Sequence, residues 1–188
     1  MKRNVYDFDG TIYRGDSTAD FYRYCIARKP SILFDLLAVG ASFAAMGLGL
    51  LEKTRAKQRF YHFLSYLPDT QAYVDDFWKT RHTRIKGWYL AQKSPDDLII
   101  SASPEFLLRP ICQSLGVELL ASRVDPTSGK TEGRNCHDIE KVFRMHEAYP
   151  ETEIAAFYSD SLADTPLARL ADAAWLVHGD RITPFPLD

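Results

Sequence analysis

Cysteine is scarce in this sequence, with three thiols, Cys25, Cys112 and Cys136, in 188 residues. They form neither an even set for a disulfide framework nor a C-x-x-C pair for a metal site, which points to a reduced, cytoplasmic protein. An excess of one charge is lacking too: 23 basic side chains stand against 25 acidic ones, for a net charge of −2. A broad grip on nucleic acid needs a basic face, so no nucleic-acid partner is expected. No secretory leader is read, because Asp7 and Asp9 arrive before an apolar segment can form. Internal repeats and low-complexity tracts are missing as well. The longest uncharged run, LLAVGASFAAMGLGLL at residues 36–51, contains several glycines and is shorter than the ~20 apolar residues of a bilayer-spanning helix. No transmembrane span is therefore expected.

What is present is an alternation. Short apolar runs at residues 4–8, 98–101, 117–121, 154–158 and 173–177 read as strands, and helix-period segments occupy residues 104–115, 137–149 and 165–171. That order predicts an α/β fold, a Rossmann-like parallel sheet with helices on both faces. Residues 17–92 break the rhythm with helical material, so an insertion between the first and second strands is expected. The division read from this is an α/β catalytic core of residues 1–14 and 93–188 carrying an all-helical cap of residues 15–92. The aromatic residues of the insertion, among them Phe60, Tyr61, Trp78, Trp88 and Tyr89, are expected to form the cap's own core, with some facing a pocket.

Two carboxylates, Asp7 and Asp9, follow the first strand and precede Gly10 and Thr11. Alternate residues at a strand end project to one side, and Gly10 permits close backbone approach to an anion. Such a pair suits a divided task, in which one carboxylate attacks and the other handles a proton. FYSDSLADTP places Asp160 and Asp164 after the fourth strand, again at a carboxyl end, where parallel α/β folds collect their sites. Converging aspartates form a hard oxygen site suited to Mg2+. Ser101, closing the second strand, is a donor for a phosphoryl oxygen, and Lys141 supplies a cation near the fourth strand. Nucleophile, acid, metal site, donor and cation together fit phosphoryl transfer.

DFDGT at Asp7, LIISAS with Ser101, Lys141 after GRNC, and YSDSLAD with Asp160 and Asp164 resemble the four ordered motifs of the haloacid dehalogenase superfamily. The insertion after the first motif is similar to the helical-cap, phosphoserine phosphatase-like group. The resemblance implies that Asp7 attacks phosphorus and becomes an aspartyl-phosphate, while Asp9 protonates the leaving oxygen and later activates water. Gly10, Thr11, Ser101 and Lys141 are then the phosphate-binding set. Mg2+ is held by Asp7, Asp160 and the backbone carbonyl of Asp9, with Asp164 supporting the metal or Lys141. Two departures from the group's pattern stand out. Its lysine commonly falls one helical turn earlier, near His137, although positions four apart share a helix face. Its substrate-reading acid falls at Asp16, not glutamate, with Arg55 and Arg59 as candidate partners.

The expected activity is hydrolysis of a phosphate monoester, its substrate a small phosphorylated compound and a lipid phosphate an open choice. A phospho-accepting receiver or a catalytically silent binding module is the alternative. A receiver carries its acceptor aspartate after a mid-chain strand, whereas Asp7 follows the first. Ser103, Pro104 and Glu105 read as a helix cap, and Cys136, His62, His82 and His146 as packing or surface residues. The run at 36–51, flanked by Arg28, Lys29, Lys53 and Arg55, reads as a buried cap helix or as a surface for peripheral membrane contact. No protein partner is inferable.

Overall fold

The computed structural model describes residues 2–35, 40, 44, 47 and 60–187. The apolar run at 36–51, but for three residues, and the candidate arginines Arg55 and Arg59 lie outside the described residues. Seven strands form one sheet: β1 (Lys2–Tyr6), β2 (Leu98–Pro104), β3 (Glu118–Val124), β4 (Thr131–Glu132), β5 (Glu153–Ser159), β6 (Ala171–His178) and β7 (Arg181–Pro184). Their order is β4-β3-β2-β1-β5-β6-β7. The five central strands are parallel, and the short β4 and β7 pair antiparallel at the two edges. Strand order reverses next to β1, which has β2 on one side and β5 on the other. That reversal opens a crevice at the carboxyl ends of β1 and β5. The α/β architecture expected from the alternation is therefore observed. The edge strands β4 and β7 were not foreseen, being two and four residues long, too short for a periodic signal.

The helices are α1 (Ser17–Arg28), α2 (Thr70–Arg81), α3 (Gly87–Gln92), α4 (Glu105–Leu115), α5 (Ile139–Ala148) and α6 (Thr165–Ala168) among the described residues. α1 starts where Asp16 accepts a hydrogen bond from the Ala19 N–H, and α2 where Asp69 accepts from Ala72. Both carboxylates satisfy backbone donors that a helix start leaves open. Between β1 and β2 the described chain contains α1, α2, α3, three 3₁₀ turns and a few further helical residues, and no strand is found among the described residues.

Side-chain alternation along the buried strands feeds two apolar layers. Val5, Leu98, Ile100, Ile154 and Phe157 pack with Met145, Leu167 and Phe185 on one face of the sheet. Tyr6, Phe8 and Ile99 pack on the other face with α4 and with the insertion. Phe60, Phe63 and Phe77 pack with Phe21 and Tyr22 inside the insertion, as expected of a cap core, but that core also runs on into the sheet's own layer. Trp78 of α2 stands edge-on to Phe8 and Tyr13, and its indole N–H donates to the Leu107 carbonyl of α4 at 2.6 Å. Tyr89 of α3 meets Tyr6 edge-on with ring centroids 4.9 Å apart. The insertion's rings complete the second layer beside Leu107, Leu108 and Ile111 of α4.

Candidate active site

At the carboxyl end of β1 the ladder continues one residue further, the Asp7 N–H donating to the Tyr158 carbonyl of β5 at 2.9 Å. The chain then turns tightly: Ile12 and Tyr13 both donate to the Phe8 carbonyl, and Gly10 N–H reaches the Gly15 carbonyl at 2.9 Å. Phe8 is wholly buried beneath this loop, which leaves Asp7 and Asp9 toward the crevice.

Lys141, on α5, is 2% exposed and links two of the predicted carboxylates. Its Nζ lies 2.9 Å from Asp7 Oδ1 and 2.8 Å from Asp164 Oδ2. Burial works against its charge, but Asp7 and Asp164 outweigh burial and hold the ammonium's pKa above its ordinary value. Burial pushes the Asp7 carboxyl up, to about 7, against the pull of Lys141. Asp164 also accepts from the Ser159 hydroxyl at 2.7 Å, so it supports Lys141. Lys130, in the TSGKTEG segment, is exposed on the turn before β4, and the His137 backbone N–H closes a local turn onto Asn135. Asp138, immediately before α5, has a φ of 57° and turns the chain into the helix that carries Lys141.

Asp9 is held on both oxygens. Oδ1 accepts from the Ser17 N–H at 2.6 Å and Oδ2 from the Ser103 hydroxyl at 2.5 Å. Burial raises its pKa to about 6, and those donors pull the other way. Ser103 is thus not the helix cap expected from Ser-Pro-Glu. Strand β2 runs on through Pro104, and α4 begins without a side-chain cap. The signal was available, since Ser101 and Ser103 are two apart on a strand and face the same side. Ser101 is 1% exposed, and its Oγ accepts from the Ser103 N–H at 3.1 Å.

On the β5 side, the Asp160 N–H donates to the Thr11 hydroxyl at 2.9 Å, and that hydroxyl lies 3.4 Å from Asp160 Oδ1. Thr11 is fully buried and ties the two loops together. Gly10 has a φ of +70°, and a Cβ there would lie 2.1 Å from Asp160 Oδ2. Only glycine accommodates both that backbone and that approach. The Gly10 carbonyl is fastened by Lys86, a lysine whose role the sequence did not suggest. Its Nζ also donates to the Gly179 carbonyl at 2.6 Å, and burial depresses its pKa. No three His, Cys, Asp or Glu side chains converge as a metal cluster among the described residues. Asp164 receives both Lys141 and the Ser159 hydroxyl on Oδ2, while Asp7 receives Lys141 on Oδ1.

A cavity of about 430 Å³ opens above these groups, lined by Asp7, Asp9, Ser101 and Ser103 below and by Asp16, Thr18, Phe60 and Tyr61 from the insertion. Asp16, foreseen as a substrate reader, stands at its rim while capping α1. A larger cleft of about 530 Å³ elsewhere, between Gln71, Arg109 and Asp125, contains none of the motif residues.

An aspartate pair after the first strand of an open parallel sheet, with a buried lysine against the first aspartate, belongs to a known class of hydrolase. The profile of the family described as haloacid dehalogenase-like hydrolase matches residues 5–169, and the chain belongs to that family. The resemblance read from the four motifs and the expectation of a hydrolytic enzyme are thereby borne out. The chain is 26% identical over 189 residues to Protein CicA of Caulobacter vibrioides (strain NA1000 / CB15N), covering 89% of this chain and 82% of that protein. Among solved structures it is similar to a protein of unknown function from Bordetella pertussis Tohama I, at TM-score 0.71 and 20% identity, with 92% and 88% of the two chains covered. It is also similar to a phosphoserine phosphatase captured as a phospho-aspartyl intermediate analogue, at TM-score 0.53 and 15% identity, covering 93% and 86%. These structures share the fold.

Proposed function

We propose that this chain is a phosphatase that hydrolyses a phosphate monoester through a phosphorylated Asp7. The observation that carries the reading is the buried Lys141 held between Asp7 and Asp164 at 2.9 and 2.8 Å, beneath a cavity that Asp9 also faces. A lysine so placed neutralises charge gathered by a phosphoryl group next to a carboxylate, which is where phosphoryl transfer needs it.

In the first step an Asp7 oxygen forms a bond to phosphorus as the bond to the ester oxygen breaks, and Asp9 delivers its proton to the departing alcohol. Lys141 and the Ser101 hydroxyl hold phosphoryl oxygens during this exchange. In the second step Asp9 takes a proton from water, whose oxygen attacks the phosphorus and releases Asp7 and inorganic phosphate. An Asp9 pKa raised to about 6 by burial suits a group that both gives and takes a proton near neutrality.

The residues present fit Mg2+: two carboxylates, Asp7 and Asp160, and the Asp9 backbone carbonyl are hard oxygen donors, and this ion keeps several waters beside one or two carboxylates. When bound, Mg2+ supplies positive charge to the phosphoryl oxygens. The insertion, as a cap over the core, brings Phe60, Tyr61 and Thr18 to the substrate's alcohol. Three free, buried cysteines agree with a reducing compartment such as the cytoplasm. Among the described residues no helix is long and apolar enough to cross a membrane.

The test is hydrolysis of p-nitrophenyl phosphate and of a panel of soluble and lipid phosphates, with and without Mg2+. Metal-dependent turnover lost in Asp7→Asn supports the reading. Absence of turnover across the panel counts against it and favours a silent binding module.

A further inference from the structure

The Asp9 carboxylate is fixed from two different parts of the chain, α1 through the Ser17 N–H and β2 through the Ser103 hydroxyl. One donor on each oxygen sets the plane of the carboxyl group as well as its position. Ser103 is in turn 2.7 Å from the Thr18 hydroxyl. A hydroxyl has one proton, so when Ser103 gives its own to Asp9, Thr18 must be the donor in that contact. Thr18, Ser103 and Asp9 then form a directed chain, and Ser103 is 6% exposed, where water competes poorly for these bonds.

We propose that Ser103 is a positioning residue for proton transfer by Asp9, oriented by Thr18. This rests on the reading of Asp9 as proton donor to the leaving alcohol. Freed of the Ser103 bond, the carboxyl group keeps the Ser17 N–H and rotates about its own axis, so the acidic oxygen no longer stays on the ester oxygen. Placement within a fraction of an ångström governs such transfers. The deficit falls on substrates whose alcohol cannot depart without a proton. An aryl phosphate with a stable phenolate leaving group does not need one.

The experiment compares kcat/KM, which covers the steps up to departure of the alcohol, for an alkyl phosphate and for p-nitrophenyl phosphate. In Ser103→Ala, kcat/KM for the alkyl ester is expected to fall about 10-fold or more, a fraction of what general acids contribute, while the aryl ester stays within about 2-fold. Ser103→Thr, which keeps the hydroxyl, is expected to restore the alkyl rate, and Thr18→Val to show a weaker form of the same split. Equal losses on both esters, or no loss on either, overturn the role given to Ser103. Absence of turnover by the wild-type protein on both esters removes the phosphatase reading and this inference with it, whereas an active enzyme without the split overturns only the role of Ser103, so the two failures are told apart.

Discussion

Replacing Lys141 by methionine removes the cation that bridges two carboxylates that are themselves 13% and 3% exposed. The methionine stem refills most of the volume, so the cost is electrostatic. Removing one member of a buried ion pair costs about 3–5 kcal/mol because the other is left uncompensated. The Ser159 hydroxyl still serves Asp164, which places the expectation at the lower end, about 3 kcal/mol. For a chain of this size that corresponds to a fall in Tm of roughly 6–12 °C. Folding should be followed at pH 8 in the absence of metal, above the Asp7 value of about 7. The sign on the lysine side is clear. Its pKa is raised by the fold, so its stabilising share is complete below the ordinary lysine value and is lost only as the pH rises through the raised one. Adding Asp164→Asn to Lys141→Met should recover part of the loss, since one uncompensated charge disappears with it. A Lys141→Met protein within about 0.5 kcal/mol of the parent, or a double variant whose losses simply add, refutes the clamp.

Two glycines give further tests. Gly10→Ala adds a Cβ against the Asp160 carboxylate and at a φ of +70°, so stability should drop by about 1–2 kcal/mol. Because Asp160 must swing away, half-maximal activation should need roughly 10-fold or more Mg2+, read from metal titrations of turnover. Gly129→Ala meets the Tyr61 carbonyl at 2.2 Å at a φ of +71°, and backbone cannot yield as a side-chain tip does. Urea unfolding should show a loss of about 2–4 kcal/mol, and an unchanged midpoint would mean that the turn after β3 does not press on the insertion.

The sequence made the chemistry more legible than the packing. Asp7, Asp9, Asp160 and Asp164 could be placed because each follows an apolar run by one or a few residues, and strand ends are where this fold gathers polar groups. Lys141 could be picked out as the cation near the fourth strand, and its bonds to Asp7 and Asp164 agree. Ser103 was misread because Ser-Pro-Glu is also a helix-start pattern. The strand's alternation competed with that local pattern and, in the fold, prevailed. Lys86 had no local signal, since its partners Gly10 and Gly179 lie 76 and 93 residues away in the chain. The aromatic residues of the insertion showed that they would be buried, but not against what. A helix period gives the buried face of Trp78 or Tyr89, and only the assembled sheet shows that the face belongs to Phe8 and Tyr6.

The central claim is covalent chemistry at Asp7, and phosphorus bonded to that residue is its direct trace. Enzyme mixed with a ³²P-labelled phosphate ester and quenched in acid within milliseconds should carry label on the peptide containing Asp7, and the label should vanish in Asp7→Asn. Turnover of the ester by a wild-type enzyme that never carries label at Asp7, or label that persists in Asp7→Asn, would contradict the account.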